Sequence, residues 1–133
     1  MDAAAAVGDP TLRVMDASVV HLTLVFIGEV APGAVPEIVQ SMERAAAGLP
    51  GFDLVPEVIA PLPDSGRPRL VAAVADCPPP LAELQRRLAQ RLASPKDRRR
   101  SYRPHLTLGR WSAATAPRPA PPMPPFPGGC GFP

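Results

Sequence analysis

Hydrophobic and polar positions follow two different rhythms along this chain of 133 residues. A β-branched apolar run over 19–27, stopped by Gly28, predicts a strand, and the leucine-rich run over 105–110 predicts another. Apolar residues at three- and four-residue steps predict amphipathic helices over 35–47 and 79–93. Shorter apolar runs indicate further strands over 11–15, 52–59 and 69–75. Strands and helices in this order favour an α+β or α/β fold.

Proline limits how much of the chain can pack. There are 21 prolines, and eight of them follow residue 116. Because proline lacks a backbone N–H, this density is incompatible with a regular helix or a central strand. We therefore expect a flexible start over 1–10, one packed domain over 11–111 and a disordered Pro/Gly-rich tail over 112–133.

Charge is divided unevenly along the sequence. Residues 1–66 hold nine acidic and two basic side chains, whereas residues 67–133 hold twelve basic and three acidic ones. A basic second half favours a phosphate-bearing partner, because such a field attracts anions. A solvated arginine-rich face explains the same split equally well.

Several classes of protein are disfavoured by what the sequence contains. Cys77 and Cys130 have no metal-binding spacing and only two histidines accompany them, so we expect no metal site. No apolar stretch reaches the roughly 18 residues of a membrane span, and the start lacks the pattern of a signal peptide. A cytoplasmic protein without a membrane partner is the expectation.

The tetrapeptide His-Leu-Thr-Leu occurs twice, at 21–24 and 105–108, and includes both histidines of the chain. Alternate residues of a strand share a face, so each copy presents histidine and threonine on one face and two leucines on the other. Strict alternation places Arg110 on the leucine face unless the strand bends. One such motif usually marks an ordinary strand, but a repeat that uses every histidine favours a function.

Two imidazoles and two hydroxyls on neighbouring strands suit the cleavage of a phosphate ester with an internal leaving group. One imidazole removes a proton from water while the other protonates the departing oxygen, near neutral pH. The threonine hydroxyls can donate to the non-bridging phosphate oxygens. This chemistry requires no metal and no other cofactor.

The paired motifs resemble those of the 2H phosphoesterases. The segments HLTLVFIGEV (21–30) and DRRRSYRPHLTLGR (97–110) are similar to the two motifs of the RNA 2′,3′-cyclic phosphodiesterase or 2′-5′ RNA ligase family. The resemblance spans roughly residues 12–111. It implies a two-lobed α+β fold with antiparallel sheets flanked by helices, in which one motif from each lobe lines a central cleft.

The same resemblance implies hydrolysis of 2′,3′-cyclic phosphates, on RNA ends or small nucleotides, to 2′-phosphomonoesters. Ligation of 2′-5′ ends would be a minor reverse reaction. The implied catalytic residues are His21 as proton donor and His105 as proton acceptor. The implied substrate-binding residues are Thr23, Thr107, Arg110 and Arg103.

The basic segment before the second motif offers contacts to the RNA backbone through Arg98, Arg99, Arg100 and Arg103. Tyr102 and Phe26 are candidates for stacking on a base. For both aromatic residues, burial in the core is the better expectation.

The sequence departs from the family pattern at both ends, where the usual flanking strands are not recognisable. Three interpretations follow: a shortened relative that folds poorly, a homodimer that pairs exposed strand edges, or a minimal active form. The alternatives to an enzyme are a nucleotide- or RNA-binding 2H module without turnover and an RNA-binding domain that uses only its basic loop.

Overall fold

Two compact units share the chain in a computed structural model that describes residues 7–98, 100–117 and 120–126. Arg99 and parts of the predicted start and tail lie outside the described residues. The first unit, called here the sheet unit, comprises Met1–Leu22, Leu54–Asp76 and Pro104–Pro133. The second, the helix unit, comprises Thr23–Asp53 and Cys77–Arg103.

The sheet unit is built on four antiparallel strands in the spatial order β1-β4-β3-β2. The last strand along the chain therefore lies between the first and the third. The strands are β1 (Arg13–Val14), β2 (Pro56–Leu62), β3 (Leu70–Ala75) and β4 (His105–Arg110).

The core of the sheet unit lies against β3, whose residues 71–75 are all buried. Its main cluster consists of five buried residues: Leu12, Ile59, Val71, Trp111 and Ala116. Partly buried side chains pack against this cluster, namely Val7, Leu108, Met123 and Phe126. Three of these residues, Ala116, Met123 and Phe126, belong to the segment 112–133. That this segment forms a disordered tail stays a prediction.

Asp9 links the start of the chain to the end of β4. Its carboxylate accepts hydrogen bonds from the Thr11 hydroxyl at 2.6 Å, the Thr11 backbone N–H at 2.8 Å and the Trp111 indole at 3.1 Å. These bonds, above all that from the Thr11 hydroxyl, lower the pKa of the Asp9 carboxyl. The contact anchors the segment before β1 beside the core.

The helix unit contains α1 (Val35–Ala46), α2 (Pro79–Leu92) and the short α3 (Pro95–Arg98). The Arg87 guanidinium of α2 donates to the carbonyl oxygens of Ala45 at 3.1 Å and Ala47 at 3.0 Å. Because the last carbonyls of a helix have no partner within it, this side chain completes the end of α1. None of the helices in the described residues is long and apolar enough to cross a membrane.

Most elements that the apolar pattern predicts are confirmed. The helices over 35–47 and 79–93 differ from α1 and α2 by one residue at the C-terminal end, and the strand over 105–110 is β4. The strand predicted over 52–59 lies further along, at β2. Antiparallel strands with separate helices confirm the α+β class.

The strand predicted over 19–27 is wrong. A 3₁₀ turn occupies Ala17–Val19, and the Asp16 carboxylate caps it by accepting from the Ser18 N–H at 2.9 Å. Among the remaining residues of this run, 20–27, only Leu22 forms a β-bridge.

Side chains explain why no strand follows that bridge. The Tyr102 hydroxyl donates to the Thr23 carbonyl oxygen at 3.0 Å, and the Gln85 amide donates to the Leu24 carbonyl oxygen at 3.3 Å. These backbone acceptors are therefore satisfied by tertiary contacts, which a pattern of apolar residues does not reveal.

The edges of the sheet are β1 and β2. Edge strand β2 contains Pro56 and Pro61, which have no N–H to offer to a further strand. A homodimer through exposed strand edges stays a prediction.

Candidate active site

The second motif lies on β4 in the middle of the sheet unit. His105 and Thr107 are opposite Val74 and Ala72 of β3, and both are half-buried on one face of the sheet. Leu106, between them, is 8% exposed and faces the other side. The alternation predicted for this motif is confirmed over these three residues.

An isolated antiparallel bridge brings the first motif to this strand. Leu22 pairs with Leu106, so the residues that flank the bridge face the opposite side from the two leucines. In this register His21 lies across from Thr107. His21, His105 and Thr107 therefore share one face of the sheet unit, although the first motif is not itself in a strand.

The imidazole of His21 is oriented by its own backbone. Its Nδ1 atom lies 2.8 Å from the carbonyl oxygen of Val19, the last residue of the 3₁₀ turn. A carbonyl oxygen only accepts, so Nδ1 carries the proton in this hydrogen bond. The other ring nitrogen of this exposed side chain, Nε2, takes no part in that hydrogen bond.

A β-bulge in β4 changes the position of Arg110. Val71 pairs with Gly109 and Ala72 pairs with Thr107, so Leu108 is an extra residue with no partner on β3. The extra residue shifts the alternation by one. Arg110, opposite Leu70, therefore lies on the histidine face, and the placement on the leucine face expected from strict alternation is wrong.

The neighbouring strand β1 contributes a second arginine, which lies directly opposite Arg110 in the sheet. Arg13 of β1 pairs with Arg110, so the two side chains share the face of His105 and Thr107. Arg13 is not among the residues expected from the sequence to bind phosphate. No local signal marks it, because β1 has only two residues and its register depends on a strand almost a hundred residues away.

The other predicted binding residues belong to the helix unit. Thr23 is its first residue and Arg103 its last, and both are exposed. Burial raises the pKa of Tyr102 to about 12, and an electrostatic contribution from Cys77 acts less strongly in the same direction. The parts proposed for Thr23 and Arg103 in phosphate binding stay predictions.

The basic segment makes contacts within its own unit. The Arg98 guanidinium donates to the Ala93 carbonyl oxygen at 3.2 Å, and Arg100 lies 3.8 Å from the Asp97 carboxylate. Arg99 lies outside the described residues. Contacts between this segment and an RNA backbone stay a prediction.

Phe26 is not a core residue, because 67% of its surface is exposed. Its expected burial is therefore wrong. Tyr102 is half-buried and is not one of the buried core residues, so its expected burial in the core is not confirmed either. Among the residues that the structure describes, no group of three or more histidine, cysteine or carboxylate side chains could hold a metal ion.

An antiparallel sheet in which two His-x-Thr motifs approach each other defines a 2H phosphoesterase-like fold, and comparison with known proteins agrees. The family model of the 2′-5′ RNA ligase superfamily matches residues 3–123. The crystal structure of TT0787 of Thermus thermophilus is similar, with a TM-score of 0.72 and 26% identity over 94% of this chain and 69% of that one. A comparison with curated proteins finds no match. The chain belongs to the 2′-5′ RNA ligase superfamily.

Membership of this superfamily supports chemistry of the phosphoesterase or RNA-ligase type. The resemblance inferred from the two motifs is thus confirmed at the level of the family.

Proposed function

We propose that this protein hydrolyses 2′,3′-cyclic phosphates, on RNA ends or small nucleotides, to 2′-phosphomonoesters without a metal ion. The observation that supports this most strongly is the bridge between Leu22 and Leu106, which sets His21 on the same face as His105 and Thr107. A pair of imidazoles is the simplest combination of an acid and a base for this reaction.

In the proposed reaction His105 accepts a proton from water as the water oxygen bonds to phosphorus. The bond between phosphorus and the 3′ oxygen breaks, and the Nε2 proton of His21 passes to that oxygen. The products are a 2′-phosphomonoester and a free 3′ hydroxyl. His105 then returns its proton to solvent and His21 regains one, so atoms and charge balance over the cycle.

The hydrogen bond from His21 Nδ1 to the Val19 carbonyl oxygen suits the role of an acid. It keeps a proton on Nδ1 and fixes the plane of the ring, so any second proton resides on Nε2. In the proposal this proton is the one that the leaving oxygen receives.

Charge that develops on the phosphate is stabilised by donors on the same face. The Thr107 hydroxyl donates to a non-bridging oxygen, and Arg110 adds a positive charge and a planar pair of donors. Thr23 and Arg103 are proposed as further phosphate ligands. Ligation of 2′-5′ ends would use the same groups with a 5′ hydroxyl in place of water: the P–O5′ bond forms, the P–O3′ bond breaks, His105 takes the hydroxyl proton and His21 protonates the 3′ oxygen.

The test is incubation of a nucleoside 2′,3′-cyclic phosphate with the purified protein in the presence of a chelator. The 2′- and 3′-monophosphates are then separated. We expect the 2′ isomer, because only protonation of the 3′ oxygen leaves the phosphate on the 2′ side. A 3′ product, or activity that requires added metal, contradicts the proposal.

Single variants separate the enzyme from a binding module. His21→Ala and His105→Ala are each expected to lower kcat roughly 10²- to 10⁴-fold, because each removes one proton-transfer group. Arg91→Gln, on the exposed surface of α2, is the control and should retain full activity. Full activity in either histidine variant overturns the proposal, and tight nucleotide binding without product indicates the non-catalytic alternative.

A further inference from the structure

One row of residues across the sheet carries two positive charges and no negative one. Arg13 of β1 and Leu70 of β3 are the neighbours of Arg110 in this row. Leu62 of β2 pairs with Leu70 and continues the row. Along β4, the nearest residue on the same face is Thr107. Within the four described strands, no carboxylate therefore adjoins Arg110 on this face.

The two arginines of this row are not neutralised from elsewhere in the part of the chain that the structure describes. No carboxylate there lies within 4.0 Å of the guanidinium of Arg13 or Arg110, and both residues are exposed. The arginines of α2 differ in this respect, because Arg86 and Arg87 share the carboxylate of Glu83. The N–H donors of Arg13 and Arg110 are thus available to a ligand.

The pairing of the two arginines is unfavourable unless an anion joins them. Side chains directly opposite each other in an antiparallel pair have Cβ atoms about 4.5–5.5 Å apart, and like charges in such positions destabilise the sheet. A phosphate group between the two guanidinium groups would reverse the sign of this effect. Arginine binds phosphate oxygens through planar pairs of N–H donors, so one phosphate can accept from both side chains.

The paired arginines lie on the same face of the sheet unit as the candidate active site. His105, Thr107 and Arg110 share this face, and the register of β1 adds Arg13 to it. Arg110 is three residues from Thr107, which is at most about 10 Å at roughly 3.3 Å per residue. Long, flexible side chains at this distance can extend towards a phosphate held by the Thr107 hydroxyl.

We propose that Arg13 is a further phosphate-binding residue of this site and acts together with Arg110. The inference rests on the proposed function, because it takes the phosphate to lie beside the two histidines. A phosphomonoester carries about 1.5 to 2 negative charges at pH 7, whereas a cyclic phosphodiester carries a single one. Two guanidinium groups therefore favour the product over the substrate, and the 2′-phosphomonoester is expected to inhibit competitively.

The experiment measures binding of adenosine 2′-monophosphate, a product of the proposed reaction, by titration calorimetry. We expect Arg13→Gln to weaken this binding about tenfold, because a charge-assisted hydrogen bond is lost. Adenosine, which has no phosphate, should bind equally to both proteins.

Arg69→Gln is the matched control, because it removes the same charge from the other face of the same sheet. Arg69 precedes Leu70, the partner of Arg110, and its carbonyl oxygen accepts from the N–H of Trp111 at 2.9 Å. This variant should bind adenosine 2′-monophosphate as the unmodified protein does.

Thermal unfolding separates binding from a structural role of Arg13. Without ligand, Arg13→Gln should be at least as stable as the unmodified protein, because the substitution removes a like charge from the pair. With adenosine 2′-monophosphate, the rise in Tm should be smaller in Arg13→Gln, because the ligand binds its folded state less tightly.

Unchanged affinity of Arg13→Gln for adenosine 2′-monophosphate overturns the inference. An equal loss of affinity in Arg69→Gln overturns it as well, since the effect would then come from net charge alone. So does a loss in Arg13→Gln that is accompanied by lower stability without ligand. Failure of the proposed function has a different signature: Arg13→Gln still binds the monophosphate more weakly, but the unmodified protein hydrolyses no cyclic phosphate.

Discussion

The hydroxyl of Tyr102 donates a hydrogen bond to the carbonyl oxygen of Thr23 at a distance of 3.0 Å. The bond joins the aromatic residue that precedes the second motif to the threonine of the first motif. Both residues lie in the helix unit. Through this bond the backbone of Thr23 is held by a side chain from a segment almost eighty residues further along.

Replacing Tyr102 with phenylalanine removes that hydrogen bond and keeps the ring. We expect the Thr23 carbonyl to lose its partner and the free energy of unfolding to fall by about 0.5–1.5 kcal/mol. If Thr23 binds the phosphate, KM for a cyclic nucleotide should rise as well. Chemical denaturation and steady-state kinetics measure the two effects, and an unchanged stability contradicts the importance of the bond.

Tyr102 also makes the free energy of unfolding depend on pH at the alkaline end. Burial raises the pKa of Tyr102 to about 12 from 10.0, so the unfolded chain loses its phenol proton before the folded one does. The contribution to stability is complete below pH 10 and is lost as the pH rises from about 10 to about 12. In Tyr102→Phe this part of the decline should be missing, and an identical alkaline decline in both proteins contradicts the prediction.

Gly109 of β4 has little room for a side chain. A Cβ atom there would lie 3.0 Å from Cγ of Leu12 and 3.2 Å from the Arg13 carbonyl oxygen. We expect Gly109→Ala to push β1 away from β4 and to cost about 1–3 kcal/mol of stability. Gly33→Ala is the matched control, because nothing lies within 4 Å of its added Cβ. A Gly109→Ala protein as stable as the control contradicts the tight contact.

Glu83 of α2 makes the free energy of unfolding depend on pH at the acid end. Its carboxylate binds the side chains of Arg86 and Arg87, and these hydrogen bonds lower the pKa of Glu83 from 4.5 to about 2. The stabilisation is complete above pH 4.5 and is lost as the pH falls towards 2. Glu83→Gln should show a weaker decline of stability in this range.

The control for that prediction is Glu43→Gln on α1, which removes an exposed carboxylate that has no ion pair in the described part of the chain. It should leave the acid decline unchanged. Thermal unfolding between pH 2 and pH 5 measures all three proteins. Equal slopes for Glu83→Gln and the unmodified protein contradict the role of the ion pairs.

Arg110 can be tested through the geometry of its side chain. Arg110→Gln removes the charge and is expected to lower kcat/KM for a cyclic phosphate roughly 10²-fold. Arg110→Lys keeps the charge without the planar pair of donors, so a smaller loss is expected. If Arg110→Gln retains full kcat/KM, the arginine does not act on the phosphate.

Local pattern was sufficient to predict the elements that bury one face. The apolar stripe of α2 and the alternation of β4 follow a period that burial imposes, and both elements are found close to the predicted bounds. Helix α1 is also found close to its predicted bounds, although Val35, Val39 and Met42 of its apolar stripe are exposed. The sequence also indicated which pair of residues to examine, because two copies of one motif contain both histidines.

The features that the sequence did not reveal depend on contacts between distant parts of the chain. Whether residues 19–27 form a strand was decided by donors from Tyr102 and Gln85, which satisfy carbonyl oxygens that a strand would have paired. The bulge at Leu108 and the pairing of Arg13 with Arg110 are properties of register. Register is set by all strands of a sheet together, so no short window of sequence reveals it.

The position of β4 between β1 and β3 has a consequence for biosynthesis. As the chain leaves the ribosome, β1, β2 and β3 emerge first, and β1 has no neighbour until His105–Arg110 follows. The central strand and the second histidine thus arrive together, after the other three strands. A nascent chain stalled before residue 105 therefore holds neither a complete sheet nor both histidines of the proposed site, so assembly of the sheet and of that site are one event.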